Sequence, residues 1–178
     1  MLRLTILSCR STVASSYLDY LTNVQTILQE GIPTVDVAIY HGAINGVKGG
    51  YSDQTLNQAG YSYGFISDGL LSRDDAFVSN GQLWNAGPGY KALIVNEVTA
   101  MSLWTSQKLL QLAQQGLKII LIGDAPAAIP GLPPRGTSLR EVDIALQAVF
   151  RKLARSENFV CVENTAGLPA ALYSCGIG

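Results

Sequence analysis

The chain has 178 residues, of which 48% are hydrophobic and only 14% charged. That length suits one well-buried domain and is short for two. The net charge is −1, from 12 basic and 13 acidic residues scattered along the chain. No basic stripe marks nucleic acid or an anionic membrane as a partner.

Cys9, Cys161 and Cys175 form an odd set without metal-ligand spacing. They argue against a disulfide framework and against a zinc site, and no cofactor motif is present. No apolar stretch approaches the roughly 18 residues of a membrane span. The N-terminal MLRLTILSCRSTVASS has an under-length apolar region broken by Thr5 and Ser8, a poor signal peptide. The chain therefore reads as soluble, without a convincing export signal. Its low charge fraction also suits a piece that covers surface against a neighbour.

Residues 1–13 carry no clear period and are expected to be an irregular start, ahead of a single α/β domain over 14–178. Tyr17, Tyr20, Leu21, Val24, Ile27 and Leu28 share one helical face, and Gly31 and Pro33 stop that helix. Thr34–Tyr40 is a strand, with Asp36 expected to bond a neighbouring backbone group. His41–Gly60 is a long Gly-rich loop with room for a short helix at Ser52–Ala59. Loops of that length are uncommon and often functional. Tyr61–Ile66 is the next strand. Ala76–Ser79 and Gln82–Asn85 flank Asn80-Gly81, the dipeptide of a type I′ hairpin.

Tyr90–Pro126 reads as a complete strand–helix–strand unit. Ala92–Val95 is apolar, Ser102 can cap a helix, Gly116 can end it, and Leu117–Ile122 is again apolar. Runs apolar on both faces belong in a covered parallel sheet. A proline-rich connector leads to a capping box at Ser138 and Glu141. Val142, Ala145, Leu146, Val149, Phe150 and Leu153 then form a helical stripe. Phe159–Val162 is a strand, and Thr165 caps a short last helix that runs to about Tyr173. The pattern predicts a three-layer, doubly wound parallel sheet with an inserted β-hairpin, flavodoxin-like or class I glutamine amidotransferase-like.

In such sheets ligands collect beyond the carboxyl ends of the strands. His41, Ser67-Asp68, Asn96-Glu97, Gly123-Asp124 and Glu163-Asn164 fall there. Neither G-x-G-x-x-G nor a P-loop occurs, and HGAING lacks the hydroxyls of a flavin phosphate loop. Cys161 reads as a small buried thiol in mid-strand, and Cys175 has no helix after it. With His41 the only histidine, cysteine catalysis lacks its base. Glu97 and Asp124 end neighbouring strands and form the one candidate carboxylate pair of a kind glycosidases use. Trp104 falls on the outward side of its helix with Gln107, Lys108 and Gln111, able to stack on a sugar or on an adjoining domain.

Three passages carry a family resemblance. YLDYLTNVQTILQEGIPTVDVAIYHG is similar to the helix and strand after the catalytic barrel in family 106 glycoside hydrolases, the α-L-rhamnosidase type. GYSYGFISDGLL resembles that family's next strand. The run from FVSNGQLWNAGPGYKALIVNEV to LKIILIGDAP resembles its hairpin, strand and Gly-terminated helix. The resemblance covers about Tyr17 to Pro126. Gly64 departs from it, standing where the family usually has an acidic residue. The resemblance implies secreted enzymes that remove terminal rhamnose from glycans, with their catalytic carboxylates on the barrel. It therefore implies an amidotransferase-like domain from a larger enzyme, extracellular, inactive alone, with the barrel and carbohydrate as partners. No catalytic residue carries over. His41, Glu97, Asp124 and Trp104 remain ligand-binding candidates. A free-standing carbohydrate-binding module using Trp104 and Trp84, or an amidotransferase-like pseudoenzyme, are the alternatives.

Overall fold

A computed structural model describes the backbone at residues 3–40, 54–84, 86–133 and 135–178, with side chains from residue 15 onward. The chain divides into two compact units, Met1–Pro33 and Thr34–Gly178.

The first unit is one helix, α1, Arg3–Glu30. It overturns the irregular start expected for residues 1–13. That stretch lacks an apolar period, yet neither Gly nor Pro interrupts it, so the helix extends through it. Tyr17, Tyr20, Ile27 and Leu28 share the expected face, but all four are exposed. Periodicity identified the helix and not its burial: among its described residues this unit contains no second element to cover the stripe.

The second unit is built on a five-stranded parallel sheet. In chain order it contains β1 (Val37–Tyr40), α2 (Thr55–Gln58), β2 (Tyr63–Ile66), α3 (Asp68–Leu71) and a hairpin of β3 (Val78–Ser79) and β4 (Gln82–Leu83). There follow β5 (Ala92–Asn96), α4 (Leu103–Gln114), β6 (Lys118–Ile122), α5 (Leu139–Leu153), β7 (Phe159–Val162) and α6 (Leu168–Ser174). The sheet order is β2-β1-β5-β6-β7. The predicted strands and the two long helices are present; α3 was not foreseen. Thr165 lies inside a short 3₁₀ turn, Thr165–Gly167, which leads into α6.

The alternating pleat divides the core in two. Ala38, Tyr40, Leu93, Val95, Ile119 and Leu121 point to one face, packed with α4, α5 and Leu71 of α3. Val37, Ile39, Ala92, Ile94, Ile120 and Ile122 point to the other, packed with Leu56 of α2 and with α6. Three layers result. Right-handed crossovers explain the assignment: β5→β6→β7 and β1→β2 run in opposite directions across the sheet, so their helices must lie on opposite faces.

Local chemistry ends each element where expected. The Ser102 hydroxyl accepts from the Thr105 amide at 3.0 Å and caps α4. Gly116, at φ 103°, closes α4: its amide bonds Ala113 O, and the Leu117 amide reaches Leu112 O. That bond pair is the Schellman motif, and only the glycine takes its φ without strain. Ser138 and Glu141 form the reciprocal capping box of α5. Asn80 and Gly81 both have positive φ, as a type I′ turn requires. The strands it joins are shorter than predicted, because Trp84 turns to φ 52° and ends the ladder; Asn85 lies outside the described residues.

Two contacts fix the sheet's margin. Asp36 accepts from the Ser62 amide and hydroxyl at 3.0 and 2.7 Å, and from Lys91 Nζ at 3.1 Å. This ties together the entries to β1, β2 and β5, as the expected backbone bond of Asp36 required. At Gly64 a Cβ would meet Tyr90 Oη at 2.7 Å and its ring at 3.3 Å. Tyr90, itself 8% exposed, occupies the space a side chain at position 64 would need.

Partial burial raises the Asp36 carboxyl, but the Ser62 hydrogen bonds and the Lys91 ammonium outweigh it and hold the group below the usual carboxylate range. A depressed folded-state value contributes stability above the unfolded value of about 3.9, lost as pH falls below it. Acid unfolding followed by circular dichroism should show a steeper loss below about pH 4 for the parent chain than for Asp36→Asn. Gly64→Ala should cost about 1–3 kcal/mol in urea unfolding, because the buried Tyr90 must shift to make room, and Tyr90→Phe in the same chain should recover part of it.

Candidate functional site at the carboxyl edge of the sheet

Chain order reverses between β1 and β5: one leads to β2, the other to β6 and β7. The crevice beyond the carboxyl ends at such a switch point is where parallel sheets place ligands. β1 ends in Tyr40 and β5 in Asn96.

Four of the polar groups there are committed to one another. Asp68, first residue of α3, accepts at one oxygen from the Tyr40 hydroxyl and from the Thr105 hydroxyl, both at 2.7 Å. Thr105 is fully buried in the first turn of α4, and its hydroxyl also lies 2.7 Å from that of Ser102. Burial, reinforced by the Asp68 carboxylate, pushes the Tyr40 hydroxyl far above the ordinary phenol range, so it stays protonated and donates. The network pins α3 and the start of α4 to the end of β1. Asn96 contributes a different feature, a buried side-chain oxygen that has no hydrogen-bond partner among the described residues.

Glu97 follows Asn96 at φ 46°, a left-handed conformation that costs a non-glycine residue about 1 kcal/mol. Its amide bonds Ile122 O at 3.3 Å, and its side chain runs beside Gly123, where an added Cβ would lie 3.9 Å from Glu97 Cγ. Beyond this point the chain pairs with the proline-rich connector: the Met101 amide bonds Ala128 O at 3.0 Å, and the Ala127 amide bonds Thr99 O at 3.2 Å. The β5–β6 side of the edge is thus bridged by backbone.

Of the residues expected to bind ligand, His41 lies outside the described residues. Glu97 and Asp124 are exposed at the ends of adjacent strands, and neither accepts a hydrogen bond among the described residues. Trp104 is 45% exposed on α4, with Gln107 and Gln111 exposed along the same helix. Cys161 requires a correction: it sits in mid-strand but is exposed, because β7 is an edge strand with a half-covered face, and its Sγ lies 3.6 Å from Gly123 O. Two cavities are described, one beside the hairpin and one under the connector at Ala125–Ala127; neither is lined by Glu97 or Asp124. No group of three His, Cys, Asp or Glu is placed to hold a metal among the described residues.

Asp68 and Ser102 are singly legible in the sequence, but nothing there joins them to Tyr40 and Thr105, because α3 is only four residues long and leaves no periodic signal. Two substitutions test this reading by thermal unfolding. Tyr40→Phe should cost about 1–2 kcal/mol, since Asp68 loses a donor in a partly buried place. Glu97→Gly should stabilise by about 0.5–1 kcal/mol through relief of the left-handed backbone.

Comparison with known proteins identifies the family. A model of the Glyco_hydro_106 family, described as alpha-L-rhamnosidase, matches residues 8–172. A protein of Formosa agariphila that carries a beta-glucuronidase name is 30% identical over 128 residues, covering 71% of this chain and 11% of that protein. The solved rhamnosidase of Novosphingobium sp. PP1Y superposes with a TM-score of 0.63 at 20% identity, over 91% of this chain and 16% of that one. The last likeness shows a shared fold. The chain thus spans between a tenth and a sixth of the length of these relatives. By the extent of the family match, the chain belongs to the glycoside hydrolase 106 family, that of alpha-L-rhamnosidase.

Proposed function

We propose that this chain is an accessory, non-catalytic domain of an α-L-rhamnosidase-like glycoside hydrolase acting on rhamnose-containing glycans outside the cell. The observation that carries the reading is one of scale: the family match runs through nearly the whole chain, yet the chain spans only 11% and 16% of two relatives. Its natural partners are then the catalytic barrel of the parent enzyme and carbohydrate. The strand order supports a flavodoxin-like or class I amidotransferase-like reading: counting only the parallel strands, it is 2-1-3-4-5.

The chemistry of the edge agrees. General acid–base hydrolysis of a glycoside needs two carboxyl groups facing one enclosed bond. Here Asp68 is engaged by two hydroxyls, while Glu97 and Asp124 stand exposed and line neither described cavity. Such an arrangement positions helices and leaves hydrolysis to another part of the enzyme. No helix among the described residues is long and apolar enough to cross a membrane.

Incubated with an aryl α-L-rhamnoside, the purified chain should release no aglycone above the buffer rate. Turnover that disappears in Glu97→Gln would contradict the non-catalytic reading and make the strand-end carboxylates an active site.

A further inference from the structure

Beside the β3–β4 hairpin lies an open cavity of about 360 Å³, within the size range of small-ligand sites. Leu70, Phe77, Trp84, Pro88 and Tyr90 form its apolar wall. One polar cluster interrupts that wall. Arg73 donates from Nε and Nη2 to the two oxygens of Asp75 at 2.9 and 2.8 Å, and the Trp84 indole N–H donates to Asp75 Oδ1 at 3.3 Å.

Trp84 is held in place from several directions. Its φ of 52° is an outlier for a bulky residue. Its amide bonds Phe77 O at 3.3 Å, and its carbonyl accepts from the Gly87 and Gly89 amides at 2.8 and 3.1 Å. Its ring meets Tyr90 edge-on, with centroids 6.0 Å apart. Strain kept by this many contacts, in the wall of a cavity, is a mark of binding sites. Phe77, by contrast, is 53% exposed and leaves its ring open at the mouth.

We infer that this cavity binds a neutral pyranose residue of a glycan. The sugar's C–H face carries partial positive charge and suits an aromatic ring face. Its hydroxyls suit the remaining donors of the Arg73 fork and the lone pairs of Asp75. The pairing of Arg73 with Asp75 cancels charge at the mouth, so nothing there favours a uronate. Leu70 and Pro88 offer an apolar wall to the methyl group of a 6-deoxyhexose. The choice of a sugar rests on the accessory-domain reading. The place rests on the cavity alone.

Trp84 and Trp104 are the only two tryptophans, so Trp104→Phe leaves Trp84 as the sole emitter of its kind. In that chain, titration with methyl α-L-rhamnoside should give a saturable change in tryptophan emission. Added Phe77→Ala or Arg73→Ala should weaken binding about tenfold or more. Both residues are exposed and the ion pair is a surface one, so these variants should keep the parent circular-dichroism spectrum. Three results overturn the inference: no saturable change up to about 100 mM sugar, equal binding by the variants, or tighter binding of methyl glucuronide. Absence of binding without turnover removes the cavity site and leaves the accessory reading intact; turnover removes the accessory reading.

Discussion

The fold depends on one constraint: three central strands with no face open to water. Residues Val37–Tyr40, Ala92–Val95 and Ile119–Ile122 are buried throughout. A parallel sheet of that kind is stable only between two helical layers, and its crossovers must return right-handedly. With β1 leading one way and β5 the other, α4 and α5 are sent to one face and α2 and α6 to the opposite one. The two clusters of apolar side chains follow from the pleat. The carboxyl-edge crevice follows from the reversal.

The hairpin is the insertion that gives this scaffold a feature of its own. It enters between α3 and β5, and Leu83 and Tyr90 pair their backbones at 2.8 and 3.0 Å to tie it to the core. Tyr90 has two roles there. On one side it fills the space a side chain at position 64 would need. On the other it backs the ring of Trp84. A glycine on strand β2 is thus linked, through one tyrosine, to the shape of the hairpin cavity. At the carboxyl edge the hydroxyls of Tyr40 and Thr105 close on Asp68 in a way that serves helix placement.

Much of this was legible in the residues. Continuous apolar runs marked β5 and β6, Gly116 marked the end of α4, Ser138 and Glu141 marked the start of α5, and Asn80-Gly81 marked the turn. Each is a local rule with a short range, and local rules survive without tertiary knowledge. The edge strands misled where burial mattered: Cys161 shares its apolar neighbours with core positions, and only the sheet order shows that β7 has an open side. The stripe on α1 failed for the same reason, since periodicity reports a face and not its covering. The cluster of Arg73, Asp75 and Trp84 was invisible because its members come from a turn and a strand end that only the hairpin brings together. Trp84 is legible as a stacking residue, but its left-handed backbone carries no sequence signature.

The hairpin cavity is the proposed sugar site, and the carboxyl edge of the sheet is the alternative. The direct measurement is a ¹H–¹⁵N shift map of the whole chain titrated with methyl α-L-rhamnoside. Progressive shifts are expected at the Trp84 indole N–H and at the amides of Phe77, Trp84 and Gly87, with Glu97, Gly123 and Asp124 unmoved. Shifts confined to Glu97, Gly123 and Asp124 would contradict it and return the site to the edge of the sheet.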